Sequence, residues 1–158
     1  MGSVPASPTA QGATGALPAG IARVLDRFRV LSREDRMSAL VHYSRKLEPV
    51  PERFVALDRS AFTIPECQTR VDIFPEMRDG RMHYYADLNV RQSPTVAAIL
   101  AIVFAAVNDQ LPEVTLAIPA DFVRTLMDSI GLGAREPGLN AMIARLKRYA
   151  REPDAFTA

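Results

Sequence analysis

Apolar residues recur at helical spacing near the start of the chain. One face of a predicted first helix consists of Ile21, Val24, Leu25 and Phe28. Ser32 is placed to cap a second helix, because Asp35 follows three residues later in a near capping box. Pro49 is a helix breaker, so we expect the second helix to end before it.

In the middle of the chain the apolar pattern changes to strict alternation. Residues 71–73 and 82–88 alternate between apolar and polar side chains on either side of Asp79-Gly80. An Asp-Gly pair between two alternating segments is typical of a two-residue hairpin turn. The pattern therefore predicts an antiparallel β-hairpin.

Helical signals return after the hairpin. Ser93-Pro94 is a helix-start signal and leads into an apolar run at residues 96–107. This run is shorter than the roughly 20 residues that a membrane-spanning helix needs, so it predicts a buried helix. Pro119 opens an amphipathic helix, and a last helix is expected after a loop that ends at Gly138.

Together these elements predict an α+β fold, in which helices cover one face of a small curved antiparallel sheet. A chain of 158 residues with 48% hydrophobic residues fits one globular domain. Because an isolated hairpin is only marginally stable, we expect a third strand near residues 62–64 or 88–90.

Residues 1–20 differ in composition from the rest of the chain. They contain no Lys, Arg, Asp or Glu and are rich in glycine and proline. Such a segment cannot bury enough apolar surface to offset its ordering entropy. We therefore expect a flexible tail at 1–20, one domain at 21–151 and a short C-terminal tail at 152–158. The tail carries no recognisable secretory or transit signal, which favours a cytoplasmic location.

The overall charge and the single cysteine exclude several classes of protein. With 19 basic and 18 acidic side chains the net charge is +1, which provides no field to hold nucleic acid. One cysteine can form neither an internal disulfide nor a metal site built from several thiolates. His42 and His83 are the only histidines, so a zinc site would depend on carboxylates, and we predict no metal site.

Cys67 is the main candidate for chemistry. It lies between Pro65 and the first strand among polar neighbours, whereas structural cysteines are usually surrounded by aliphatic residues. Arg70 would favour the reactive thiolate, and Glu66 would oppose it. A functional thiol and a half-exposed structural thiol both remain open on this evidence. A dyad of Cys67 with His83 is possible but has no further support in the sequence, and a structural role is favoured for both histidines.

Four stretches resemble, in the right order, the SufE-type sulfur acceptors of iron–sulfur cluster biogenesis. Residues 65–71, PECQTRV, resemble the family motif PGCQSxV. Residues 43–49, YSRKLEP, are similar to the family's Tyr…Leu-Pro helix end, and residues 99–104 are similar to its apolar helix. Residues 135–143, REPGLNAMI, resemble the family's RxxGLxAMI helix entry. The similarity covers roughly residues 21–151 and implies the fold of that family.

The resemblance implies a sulfur carrier that also stimulates its donor. A partner cysteine desulfurase, which uses pyridoxal phosphate, would hold sulfur as a persulfide. Cys67 would accept that sulfur and pass it to an iron–sulfur scaffold complex. The chain would be an accessory protein rather than a stand-alone enzyme, with no cofactor of its own and no nucleic-acid or membrane partner. It would be a monomer or a weak dimer.

The resemblance also implies roles for residues around the cysteine. Arg135 matches an arginine that would stabilise the thiolate or persulfide anion, and Asp87 matches an acidic residue that would contact the desulfurase. Gln68 and Thr69 would shape the loop and donate hydrogen bonds, and Glu66 replaces the family glycine. The candidate sulfur- or partner-binding residues are Glu66, Gln68, Thr69, Arg70, Asp87 and Arg135.

Two alternatives differ in what Cys67 does. In the first, the chain is a regulatory module that binds a desulfurase without accepting sulfur, an interpretation that the negative charge of Glu66 supports. In the second, it is a monothiol redox enzyme such as a peroxidase, although no base is placed beside Cys67 and no second thiol exists.

Overall fold

A computed structural model describes residues 18–130 and 136–155. Within these residues two helices precede a hairpin, and further helices follow it. The helices are α1 (Ala19–Val30), α2 (Arg33–Ser44), α3 (Glu52–Val55), α4 (Pro94–Val107), α5 (Pro112–Leu116), α6 (Phe122–Ile130) and α7 (Glu136–Arg151). The strands are β1 (Asp72–Arg78) and β2 (Arg81–Asp87). Short 3₁₀ turns lie at Arg59–Ala61 and Pro153–Ala155.

The junction between α1 and α2 confirms the predicted cap. The Ser32 hydroxyl oxygen accepts a hydrogen bond from the Asp35 backbone N–H at 3.1 Å. The Arg36 Nε–H donates to the Phe28 carbonyl at 2.8 Å and fixes α2 against the end of α1. α2 ends at Ser44, before Pro49 as expected.

The apolar helix α4 forms the centre of the molecule. It is buried along most of its length, because α1, α2 and β2 pack around it. This enclosure explains why its sequence is apolar on every face. No helix in the described part of the chain is long and apolar enough to cross a membrane.

The predicted hairpin forms in the expected register. β1 and β2 pair antiparallel from Asp72 opposite Asp87 to Arg78 opposite Arg81. Asp79 and Gly80 have φ values of 50° and 77°, the left-handed conformation that a type I′ turn requires at both positions.

Two details of the predicted sheet are wrong. Within the described ranges the sheet has two strands, and Thr63 contributes a single bridge to β1. Residues 88–93 form a local turn instead, in which the Ser93 N–H donates to the Asn89 carbonyl at 3.0 Å. The far face of the sheet is also covered, because Phe54 of α3 packs with Phe74 and Tyr85 in a second apolar cluster.

The last helix begins earlier than predicted. α7 starts at Glu136, so Gly138 belongs to its first turn rather than to the preceding loop. Near the other end of α7, the Tyr149 hydroxyl donates to the Ile73 carbonyl at 2.9 Å and joins the helix to β1. The sequence reasoning also missed the short helix α5, which packs against α7.

Candidate functional site

Cys67 lies at the tip of a loop that leads into β1. The base of this Cys67 loop (residues 64–71) is closed by a hydrogen bond from the Ile64 N–H to the Val71 carbonyl at 2.8 Å. The Cys67 N–H donates to the Ile64 carbonyl at 3.3 Å. The cysteine therefore follows a tight turn whose two ends are paired, rather than an extended flexible connection.

The first turn of α7 lies directly against the thiol. A Cβ atom placed on Gly138 would be 3.6 Å from the Cys67 Sγ and 3.5 Å from the Cys67 Cα. Cys67 is half-buried and packs at the edge of the main core. The fold thus brings together two stretches of sequence that are separated by about seventy residues. Arg135 lies outside the described residues.

Further along α7, a second contact supports the approach to the loop. The Arg145 guanidinium donates to the carbonyls of Ala61 and Thr63, each at 3.2 Å. Arg145 lies in the basic C-terminal half of α7, where cations are favourable in themselves. Its two contacts with the segment before Cys67 show a more specific structural role.

A buried carboxylate anchors the loop base from the other side. Asp72 is 1% exposed and accepts hydrogen bonds from the Thr63 hydroxyl and, at 3.3 Å, from the Arg70 Nε–H. The Arg59 Nε lies 3.5 Å from the same carboxylate, and Arg59 also pairs with Asp87 on β2. Arg70 is thus engaged with Asp72 instead of supporting a Cys67 thiolate, because a buried carboxylate needs opposite charge.

This charge cluster contains two residues that the sequence reasoning missed, Arg59 and Asp72. The available signal was the pair Asp72 and Asp87, which sit opposite each other where the hairpin opens. Two carboxylates at directly opposed positions repel each other unless a cation lies between them. A cavity of about 200 Å³ lies beside the cluster and is lined in part by Thr69 and Gln92.

The remaining loop residues differ in how they are held. The Thr69 hydroxyl oxygen lies 2.7 Å from that of Ser93, the buried residue that precedes α4. Glu66 and Gln68 are exposed on either side of Cys67. No side-chain hydrogen bond or ion pair reaches Glu66, Cys67 Sγ or Gln68 from the described residues.

Glu66 takes an ordinary backbone conformation. Among the described non-glycine residues, positive φ occurs at Asp79 and Asp109 only. The loop therefore does not need the freedom of the glycine that the resembling family has at this position. What distinguishes Glu66 from the family's glycine is then the negative charge of its side chain.

Neither histidine belongs to this site. The His83 ring nitrogens lie 2.9 Å from Glu48 Oε1 and 2.9 Å from Asp109 Oδ1. His83 is paired with Glu76, four residues along β1 from Asp72, which corresponds to roughly 13 Å. His42 is exposed on α2. In the described part of the chain no group of three or more His, Cys, Asp or Glu residues could hold a metal ion.

Comparison with known proteins identifies the family. The model of the SufE family, described as the Fe-S metabolism associated domain, matches residues 22–150. The chain belongs to the SufE family. This membership associates it with iron–sulfur metabolism and agrees with the resemblance carried by the four sequence stretches.

Relatives and solved structures cover nearly the whole chain. Two uncharacterized SufE-like proteins of Mycobacterium tuberculosis, from strains CDC 1551 / Oshkosh and ATCC 25618 / H37Rv, are each 29% identical over 150 residues. Each match covers 90% of this chain and 99% of the relative. The solution structure of a hypothetical protein from Thermus thermophilus matches with a TM-score of 0.74 and 24% identity, over 88% of this chain and 98% of that one. This similarity shows a shared fold.

Proposed function

We propose that this SufE family member is a sulfur acceptor in iron–sulfur cluster biogenesis, with Cys67 as the accepting residue. A cysteine desulfurase would supply the sulfur, and an iron–sulfur scaffold complex would receive it. The observation that carries the proposal is the position of Cys67, half-buried at the tip of a paired loop and against α7. The family's association with iron–sulfur metabolism gives this thiol its context.

The transfer is a thiol–persulfide exchange that balances without an oxidant. Cys67 loses its proton, and its thiolate attacks the outer sulfur of the desulfurase persulfide. The new S–S bond forms on Cys67 while the donor S–S bond breaks, and the desulfurase cysteine leaves as a thiolate that takes up a proton. Such exchange needs an accessible attacking thiolate and a good leaving thiol.

Loop residues that face solvent would meet the partner. Glu66 and Gln68 flank the thiol with exposed side chains, and the Asp87 side chain is 45% exposed beside Arg59. We assign these residues to desulfurase contact, together with Arg70, whose side chain is 64% exposed. Arg135 is assigned to stabilise the thiolate or persulfide, as its match to the family motif implies.

Intact-protein mass spectrometry tests the acceptor role. After incubation with a cysteine desulfurase and L-cysteine, the native chain should gain one sulfur atom that mild reduction removes. The Cys67→Ser variant should gain none. Absence of added sulfur on the native chain with every desulfurase tested would contradict the proposal.

A second candidate function is a desulfurase-binding module without sulfur transfer. The exposed Glu66 carboxylate beside Cys67 favours it, because a nearby negative charge opposes an anionic persulfide. In that case Cys67→Ser would stimulate the desulfurase as well as the native chain does. Glu66→Gly would then be the variant expected to restore sulfur acceptance.

A further inference from the structure

The Cys67 loop is joined to the start of α4 by one pair of hydroxyl groups. Thr69 Oγ1 and Ser93 Oγ lie 2.7 Å apart, in the range of a good O–H···O hydrogen bond. Ser93 is only 3% exposed, so its hydroxyl has little access to water as an alternative partner. Thr69 is two residues from Cys67 in the same loop, whose base is closed by the Ile64–Val71 bond.

Ser93 does not use its hydroxyl in the way its position predicts. A serine at a helix N-cap normally accepts a hydrogen bond from the backbone two or three residues later. Ser32 does this for α2, but the Ser93 side chain makes no capping bond to α4. The hydroxyl that would stabilise the helix is directed to the Cys67 loop instead.

On the other side of the loop, the contact that the described residues make is van der Waals contact. There the thiol lies beside Gly138, which offers no side chain and no hydrogen bond to it. The base of the loop, by contrast, is fixed by the Ile64–Val71 backbone bond and by the buried Asp72. Among the described residues, the Thr69–Ser93 bond is thus the one side-chain hydrogen bond that joins the loop tip (residues 65–69) to the body of the protein.

We propose that Thr69 and Ser93 are positioning residues that form a latch, which holds Cys67 against α7 and slows access to its thiol. Reagents and sulfur donors would reach Cys67 when this hydroxyl pair separates. The role of the latch in sulfur transfer rests on the proposed acceptor function. The latch itself governs the exposure of the thiol and can be tested without any sulfur donor.

The test is the rate at which iodoacetamide alkylates Cys67 in the full chain. Thr69→Val and Ser93→Ala each remove the hydrogen bond, and the double variant removes both hydroxyls. Loss of one neutral hydrogen bond, at its usual net contribution, corresponds to an increase in the alkylation rate of roughly 2- to 10-fold. Because both single variants break the same bond, the double variant should react no faster than the faster single variant. Thr69→Ser keeps the hydroxyl and should react at the native rate.

A matched control separates the latch from general loosening. Tyr84 and Thr115 form another buried hydroxyl pair, 2.9 Å apart, and neither residue belongs to the Cys67 loop. Tyr84→Phe removes that bond and should leave the alkylation rate unchanged.

The outcomes distinguish the latch from the proposed function. If Thr69→Val and Ser93→Ala were alkylated at the rate of the native chain, the latch would be overturned. The same would follow if Tyr84→Phe accelerated alkylation as much as these two variants do. Acceleration by Thr69→Ser equal to that of Thr69→Val would do the same. If the variants react faster but the native chain accepts no sulfur from a desulfurase, the latch stands and the acceptor proposal fails.

Discussion

Each edge of the β1–β2 hairpin is closed by a short segment from elsewhere in the chain. On the β1 edge, Thr63 bridges to Asp72 where the hairpin opens. On the β2 edge, Gln110 bridges to Met82 near the turn, and the Asn108 side chain bonds the Tyr84 backbone at 2.8 and 3.1 Å. Both closures are antiparallel bridges, but the carboxylates near them differ in burial.

The difference lies in what the neighbouring carboxylates can reach. At the open end, Asp72 is buried and depends on Arg59, Arg70 and Thr63 for its partners. At the turn end, Glu76 pairs with Arg53 and Arg78, and the Glu76 side chain is itself 21% exposed. Water can therefore replace the partners of Glu76 at the turn end. It cannot replace those of the buried Asp72 at the open end, where the Cys67 loop joins β1. The Cys67 loop therefore depends on the charges that are hardest to replace.

Asp72→Asn should cause the largest loss, because it removes the charge of a buried carboxylate, leaves Arg70 without its acidic partner and leaves Arg59 paired with Asp87 alone. We expect the free energy of unfolding to fall by about 3–5 kcal/mol, measured by urea denaturation. Cys67 should also be alkylated faster, since the loop base loses its anchor. A loss below about 1 kcal/mol would show that the buried carboxylate matters no more than a surface charge.

Tyr84 tests the β2 closure through alkaline pH. Burial raises the pKa of Tyr84 to about 12, although its hydrogen bond with Thr115 acts in the opposite direction. A raised pKa in the folded state gives stability that is complete below the unfolded value near 10 and is lost as pH rises through 12. We expect the free energy of unfolding to decrease by about 2–3 kcal/mol between about pH 10 and pH 12.

Tyr84→Phe should remove most of that alkaline decrease, as followed by urea denaturation at a series of pH values. A smaller decrease should persist, because burial also raises the pKa of Tyr149 against the opposing effect of Arg145. If the free energy of unfolding of Tyr84→Phe depended on pH as that of the native chain does, the assignment of the alkaline decrease to Tyr84 would be wrong.

Glu76→Gln should have the smallest effect. Partial burial acts to raise the pKa of Glu76, but the hydrogen bonds from Arg78 and Arg53 outweigh it and the net shift is downward. The stabilisation is therefore present above the unfolded pKa and is lost as pH falls through the folded value. At neutral pH we expect a loss below about 1 kcal/mol by urea denaturation. A loss of unfolding free energy as large as that of Asp72→Asn would show that the carboxylates at the turn end and the open end of the hairpin matter equally.

Local patterns in the sequence predicted the elements that local physics determines. The Ser32 cap, the Asp79-Gly80 turn and the buried helix α4 each depend on residues within a few positions of one another. The family resemblance predicted the shared fold, which the family match and the similar solution structure support. The candidate reactive cysteine was also found by its motif, and its role stays a prediction.

Contacts between distant residues could not be read in the same way. Alternation placed Asp72 on a polar position, and only the folded chain shows that it is buried between Arg59 and Arg70. Arg145 contacts carbonyls more than eighty residues earlier, which no periodic pattern encodes. Ser93 was interpreted correctly as the start of a helix, but its hydroxyl bonds Thr69 across the fold.

Gly138, in the first turn of α7, is subject to two opposite requirements. Alanine is the better helix former by about 1 kcal/mol, and a Cβ at Gly138 would make only ordinary contact with the thiol. A persulfide, however, extends about 2 Å beyond Sγ and needs free volume beside it. In the proposed acceptor role, a more stable helix and room for the persulfide would therefore place opposite requirements on residue 138. Gly138→Ala would then stabilise the free protein more than its persulfide form.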